Sequence, residues 1–266
     1  MATFQALGLH PALLKQIERE GFNDATPIQE ASIPPLMEGQ DLIGLAQTGG
    51  GKTAAYLLPL LQRLAETDER PAPNSAKALI LAPTRELAQQ IGQAIRTFSR
   101  GMKIRHTVIF GGAAFRPQIF DLRRGVDILV ATPGRLMDHV NRGNIIFDLT
   151  TNLVLDEADR MLDMGFIDDV KLIARALPEK HQTAMFSATL HKGIEKLAHQ
   201  LLNEPVRVEI KRETTVASTI NHKVRFLEGR FKDASLHNCL EDEDASRVIV
   251  FTKTKAGADN LVNRLE

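Results

Sequence analysis

Seven short runs, most of them apolar throughout instead of alternating with polar residues, set the terms for this chain. They span residues 41–46, 78–83, 107–111, 128–132, 152–156, 183–187 and 206–210. A strand with one wet face alternates polar and apolar side chains, whereas a strand covered on both faces has no need to. Between these runs lie segments with helical spacing, among them 52–64, 85–98 and 193–202. Strand and helix in regular alternation specify an α/β fold, a mainly parallel sheet with helices on both faces. Ligands of such sheets gather at the carboxyl ends of the strands. The phosphate-loop and acidic motifs of this sequence each follow one of these runs.

At 266 residues and 43% hydrophobic, the chain falls between one domain and two. Residues 1–210 are expected to form the first domain. The polar, β-branched stretch 211–219 reads as a linker, and 66–76, with two prolines and mixed charge, as a surface loop. A shorter pattern follows: a strand at 222–227, a helix at 232–240, an acidic turn at 241–244, a strand at 247–251 and a helix at 255–265. Two strands bury too little surface for a doubly wound sheet, so 220–266 reads as the incomplete start of a second α/β domain.

Lys and Arg number 33, as do Asp and Glu, so the chain has no overall positive field. Nucleic acid would have to be held by local groups or backbone amides. The lone cysteine, Cys239, has no internal partner, which suits a reducing compartment. The first residues lack a leader pattern, and no apolar run approaches the roughly 20 residues that span a bilayer. A cytoplasmic protein without membrane attachment is expected.

Residues 46–53, Ala46-Gln47-Thr48-Gly49-Gly50-Gly51-Lys52-Thr53, lie between an expected strand and helix. Consecutive glycines let backbone amides close on an anion, and the helix start adds its positive dipole end. Lys52 suits the β- and γ-phosphates of a nucleotide, and the Thr53 hydroxyl suits Mg²⁺. The usual motif begins with glycine, and Ala46 stands there instead. Pro59 falls inside the following helix and is expected to kink it. The run 152–155 ends in Asp156-Glu157-Ala158-Asp159. Hydrolysis of a phosphoanhydride needs a metal on the phosphate oxygens and a group that positions water. Asp156 suits the first and Glu157 the second. An acidic helix start is the plainer alternative for that pair.

With these motifs in this order, the chain resembles the bacterial type of DEAD-box ATP-dependent RNA helicase, over essentially its whole length. The resemblance implies a RecA-like P-loop NTPase domain followed by the start of a second one. It implies a hydrolase that uses ATP and Mg²⁺ and acts on RNA. It assigns adenine recognition to segment 1–30, through Phe22, Thr26-Pro27-Ile28-Gln29 and the upstream Phe4. A glutamine amide matches the N6 donor and N7 acceptor of adenine.

The resemblance also assigns RNA contacts to Pro83, Thr84 and Arg85, to Gly111 and Gly112, and to Thr132, Pro133, Gly134 and Arg135. These groups suit phosphate and sugar more than base edges, although Thr84 and Thr132 equally suit helix caps. With no Trp and a single Tyr, Tyr56, expected to pack inside the helix after the phosphate loop, stacking on aromatic platforms is disfavoured. Sequence-independent backbone and 2′-OH contacts fit better.

Ser187 and Thr189 resemble the motif that couples nucleotide state to RNA opening, their hydroxyls expected to bond the acidic tetrapeptide at Asp159. A cap for the next helix is the alternative. Residues 248–254 resemble the opening motif of the second domain. The arginines that such a domain supplies are not in these 266 residues, so this chain is expected to bind nucleotide and hydrolyse it little. A DNA helicase with the same core and an ATP-gated RNA clamp are the competing functions. Nothing in the sequence names a protein partner.

Overall fold

The computed structural model describes residues 3–47, 49–67, 69–210, 221, 223–241 and 247–265. Thr48 of the phosphate loop, the expected linker at 211–219 and most of the acidic turn at 241–244 lie outside the described residues. The chain divides into two units, 1–213 and 214–266.

The first unit opens with a 3-10 turn, Phe4–Leu7, and helices α1 (Pro11–Arg19) and α2 (Pro27–Met37). Strand and helix then alternate: β1 (Leu42–Leu45), α3 (Lys52–Ala65), β2 (Ala76–Leu81), α4 (Arg85–Phe98), β3 (His106–Ile109), α5 (Phe115–Arg123), β4 (Val126–Ala131) and α6 (Pro133–Asn141). β5 (Asn152–Leu155), α7 (Ala158–Asp163), α8 (Ile167–Arg175), β6 (Gln182–Ser187), α9 (Lys192–Leu201) and β7 (Val206–Glu209) complete it. The strands form one sheet in the order β3-β4-β2-β5-β6-β1-β7, and every pairing is parallel. All seven expected strands are present.

The unbroken apolar runs are explained by two cores. Successive strand residues point to opposite faces. Ile80, Val130 and Val154 join Leu57, Leu61 and Ile91 on one side of the sheet, while Leu79, Leu81, Leu129 and Leu155 join Leu136, Ile173 and Leu197 on the other. Each such side chain contributes about 1.5–3 kcal/mol by burial, so a polar residue in place of Leu79, Ile80, Leu153 or Val154 would be costly whichever face it took. α3 continues through Pro59, which is itself buried.

The strand order decides which loops become neighbours. β6 lies between β5 and β1, so the residues after β5, β6 and β1 share one half of the carboxyl edge. The amide of Ala46 donates to the Ser187 carbonyl at 3.1 Å across that edge. The residues after β3, β4 and β2 share the other half. There Thr132 N–H donates to Ile109 O at 3.1 Å and Ala82 N–H to Ala131 O at 3.0 Å. The halves meet where Asp156 N–H donates to Leu81 O at 3.0 Å.

The second unit holds a 3-10 turn, Gly229–Phe231, and helices α10 (Lys232–Leu240) and α11 (Lys255–Leu265), both where the sequence places them. The strands expected at 222–227 and 247–251 are absent from the described residues, and Val224, Phe226, Ile249 and Phe251 are exposed. A strand persists through its ladder partners and a covered face, and these two segments have neither. No described helix of either unit is long and apolar enough to cross a membrane.

Candidate functional site

The loop after β1 is shaped by two glycines. Gly49 and Gly51 have φ of +86° and +91°, where a Cβ is strained. At Gly51 a Cβ would also lie 2.5 Å from Gln29 Nε2 and 2.8 Å from Thr26 Oγ1. The space is taken because α2 grips the loop. Gln29 Nε2 donates to Gly51 O at 3.1 Å, and Thr26 Oγ1 donates to Gly50 O at 2.9 Å. The Gln29 carbonyl meanwhile accepts the Thr26 amide at 2.9 Å, closing a capping box on α2. Within the loop, Gly50 N–H donates to Gln47 O at 3.2 Å. Ala46 places its methyl in the core below, so the departure from glycine is accommodated.

α3 starts at Lys52 with Gly51 as an uncapped N-terminal residue. Its first-turn amides and dipole end therefore face the loop. Lys52 is 6% exposed, and its Nζ is buried with no hydrogen-bond partner among the described residues. Thr53, next along, is half-buried. A buried ammonium with nothing to pair is expensive, and a phosphate group would satisfy it together with the helix amides.

Asp156 is 2% exposed at the end of β5. Its Oδ2 accepts the Tyr56 hydroxyl at 2.8 Å, while its Oδ1 is buried without a partner. Burial pushes the Asp156 carboxyl up, opposed by the Tyr56 hydrogen bond and the nearby Lys52 charge. The Tyr56 phenol is held well above its usual range by burial and by the Asp156 charge. An unpaired carboxylate oxygen beside an unpaired ammonium fits a bound cation and anion together, as a metal-nucleotide complex supplies.

Glu157 takes the left-handed conformation, φ 54° and ψ 53°, ahead of α7. For a residue with a Cβ this costs about 1–3 kcal/mol, and such strain concentrates at functional sites. Its carboxylate lies 3.3 Å from Arg160 Nη1. Asp159 turns to the loop after β6. Its Oδ2 accepts from Ala188 N–H at 3.2 Å, Thr189 N–H at 3.0 Å and Thr189 Oγ1 at 3.0 Å. Ser187, expected to reach the same tetrapeptide, instead donates its hydroxyl to Thr189 O at 2.8 Å. Neither hydroxyl caps α9, which His191 caps at Gly193 N–H.

Along the other half of the edge, Arg85, Gly111 and Gly112 are exposed, and Thr84 and Gly134 are partly so. Thr84 caps α4 by accepting Leu87 N–H at 3.2 Å, while Thr132 makes no side-chain cap on α6. Gly112 has φ +80°, and the Arg85 guanidinium lies 5.8 Å from the Phe110 ring centroid. Pro83, Thr132, Pro133 and Arg135 are buried. Arg135 is the departure from expectation. It stacks on Phe115 at 4.2 Å and donates to Ala113 O at 2.9 Å and Gln118 Oε1 at 3.1 Å. Its guanidinium ties the loop after β3 to α6 instead of facing solvent.

His139 completes that cluster, fully buried, with Nε2 3.1 Å from Gln118 Oε1 and Nδ1 3.3 Å from Asn144 Nδ2. Burial and the Arg135 charge push His139 down. At the first segment, Phe22 is 51% exposed and packs 6.3 Å from Phe98, while Phe4 belongs to the core. Sequence reasoning missed Phe115, Gln118 and His139, which carry no motif, and underread Tyr56, whose spacing of four from Lys52 put it on the same helix face.

A family model for DEAD/DEAH box helicases matches residues 26–197. A protein of Escherichia coli named ATP-dependent RNA helicase DeaD is 41% identical over 99% of this chain and 41% of its own length. A Bacillus cereus protein named DEAD-box ATP-dependent RNA helicase CshA is 39% identical over 100% of this chain and 50% of its own. The crystal structure of a DEAD box protein from Methanococcus jannaschii aligns with TM-score 0.73 at 32% identity, covering 99% of this chain and 69% of that one. The chain thus spans half or less of the length of these curated relatives.

Proposed function

The chain belongs to the DEAD/DEAH box helicase family, and on that premise we propose that its carboxyl-edge loops bind ATP with Mg²⁺ on one half and an RNA backbone on the other. The observation that carries the reading is the pair of buried, unpartnered atoms, Lys52 Nζ and Asp156 Oδ1, beside an uncapped helix start. Lys52 and the amides of Gly49 and Gly51 hold the phosphates, while the Gly50 N–H stays on Gln47 O. Thr53 and Asp156 hold Mg²⁺, which when bound neutralises charge on the phosphate oxygens. Gln29 and the exposed Phe22 meet the adenine. Glu157 orients the attacking water and accepts its proton.

Asp159 joins the end of β5 to the loop after β6 through Thr189, and through that loop's neighbour, Ala46, to the phosphate loop. A change at the phosphates therefore has a hydrogen-bonded route to the β6 loop, which suits a coupling role for Asp159, Ser187 and Thr189. Arg85, Thr84, Gly111, Gly112 and the amide end at Gly134 meet phosphate and sugar, which carry no base sequence. Arg135 serves by fixing the Gly111–Gly112 loop. Residues 1–210 act as the nucleotide-binding domain, 211–219 as the linker and 220–266 as the start of a second domain, in the cytoplasm.

In a protein of the relatives' length, hydrolysis drives local RNA duplex unwinding or RNA–protein remodelling; the 266 residues alone bind nucleotide with little turnover. The test is ATP hydrolysis with RNA or DNA of matched sequence, on this chain and on a version of the relatives' length. RNA-specific stimulation in the longer protein alone supports the reading. Equal stimulation by DNA, or full RNA-stimulated turnover by the 266 residues, refutes it.

A further inference from the structure

Tyr56 lies one turn of α3 beyond Lys52 and is 1% exposed. Its ring packs on Phe186, the residue before Ser187, with centroids 5.4 Å apart and planes tilted by 52°. Its hydroxyl donates to Asp156 Oδ2 at 2.8 Å, and Asp156 Oδ1 has no partner. A carboxylate turns freely about its last bond, since that torsion is broad and two-fold. Lys52 acts on it by charge alone, because Nζ makes no hydrogen bond among the described residues. The phenol does, and it is itself fixed between the helix of the phosphate loop and β6.

We infer that Tyr56 is a positioning residue for the metal. By occupying Oδ2 it fixes the plane of the Asp156 carboxylate, so that Oδ1 alone faces the Mg²⁺ of a bound nucleotide or a water on that ion. Partners behind a metal-binding carboxylate tune its affinity through orientation. This inference rests on the nucleotide–Mg²⁺ reading of the site.

The test compares Tyr56→Phe with wild type in the 266-residue chain, titrating a fluorescent ADP analogue with Mg²⁺ and again with EDTA. Phe186→Leu is a second variant that disturbs the same packing and keeps the phenol. The ratio of the Mg²⁺ to the EDTA affinity falls about tenfold in Tyr56→Phe, the lower end for loss of such a partner. The EDTA affinity stays put, and Phe186→Leu lowers the thermal midpoint with the ratio intact. If wild type binds no more tightly with Mg²⁺ than with EDTA, the nucleotide–metal reading itself fails. If wild type shows the Mg²⁺ effect and Tyr56→Phe keeps the full ratio, or loses both affinities equally, the phenol is core filling and the inference is overturned.

Discussion

The side-chain amide of Gln29 donates to the carbonyl oxygen of Gly51 at 3.1 Å and accepts the Thr26 amide at 2.9 Å. Both ends of one glutamine are thus committed to the phosphate loop and to its own helix start. An adenine that pairs with this amide must share it with the loop, so base identity and loop shape are read by one group. Gln29→Glu keeps the acceptor for Thr26 and removes the donor to Gly51. Its nucleotide affinity is expected to fall about tenfold, about 1.4 kcal/mol, the scale of one hydrogen bond, with α2 intact by circular dichroism. Wild-type affinity in that variant would show that the donor is not used.

Gly51 makes the sharper backbone prediction. Gly51→Ala meets both φ +91° and a contact of 2.5 Å. It should cost about 1–3 kcal/mol in urea unfolding and remove nucleotide binding. Gly111→Ala meets nothing within 4 Å and no positive φ, so its stability should stay within about 0.5 kcal/mol of wild type. Equal effects at the two glycines would contradict the geometry.

The same contrast shows what was legible in the sequence. All seven strands of the sheet were, because strands covered on both faces are mostly apolar, and in β2 through β6 the polar residues fall only in the first two or the last position. The phosphate loop and the acidic tetrapeptide were, because their chemistry is local. What was not legible depends on which distant residues the fold brings together. Arg135 sits in a motif yet spends its guanidinium on Ala113 and Gln118. Ser187 sits in another yet bonds Thr189. The strands expected at 222–227 and 247–251 are absent from the described residues, because a strand needs a neighbour that sequence pattern does not supply.

The two arginines of the candidate RNA edge should separate by salt dependence. Each phosphate contact to a single strand contributes about −0.7 to the slope of log affinity against log salt. Arg85, exposed, should reduce the slope by about that amount when changed to Ala. Arg135→Ala should weaken binding through the displaced Gly111–Gly112 loop and leave the slope unchanged. Fluorescence anisotropy with a single-stranded RNA at several salt concentrations checks both. A reduced slope for Arg135→Ala would mean that its guanidinium leaves Phe115 for a phosphate.

His139 and His106 give the unit a pH dependence. Both are pushed below the ordinary value of 6.5, His139 by burial and Arg135, His106 by burial and Arg96. At His139 the Asn144 amide donates to Nδ1, so protonation there would set two donors against each other. With the folded pKa below the unfolded one, the unfolded chain binds more protons in the acid window. Stability then rises with pH. It is fully present above 6.5 and is lost as pH falls from there through the folded values. The thermal midpoint should drop between pH 7 and pH 5, and His139→Gln should flatten part of that drop, leaving the share of His106. An unchanged slope in the variant would contradict the assignment.

The buried Lys52 ammonium and the Asp156 carboxylate are expected to receive an adenine nucleotide with its metal. Calorimetric titration of the 266-residue chain with Mg²⁺–ADP, Mg²⁺–GDP and, in Lys52→Ala, Mg²⁺–ADP tests it most directly. ADP is expected to bind, GDP to bind far more weakly, and Lys52→Ala to lose ADP while staying folded by circular dichroism. Binding of ADP and GDP alike, or undiminished ADP binding by Lys52→Ala, would contradict it.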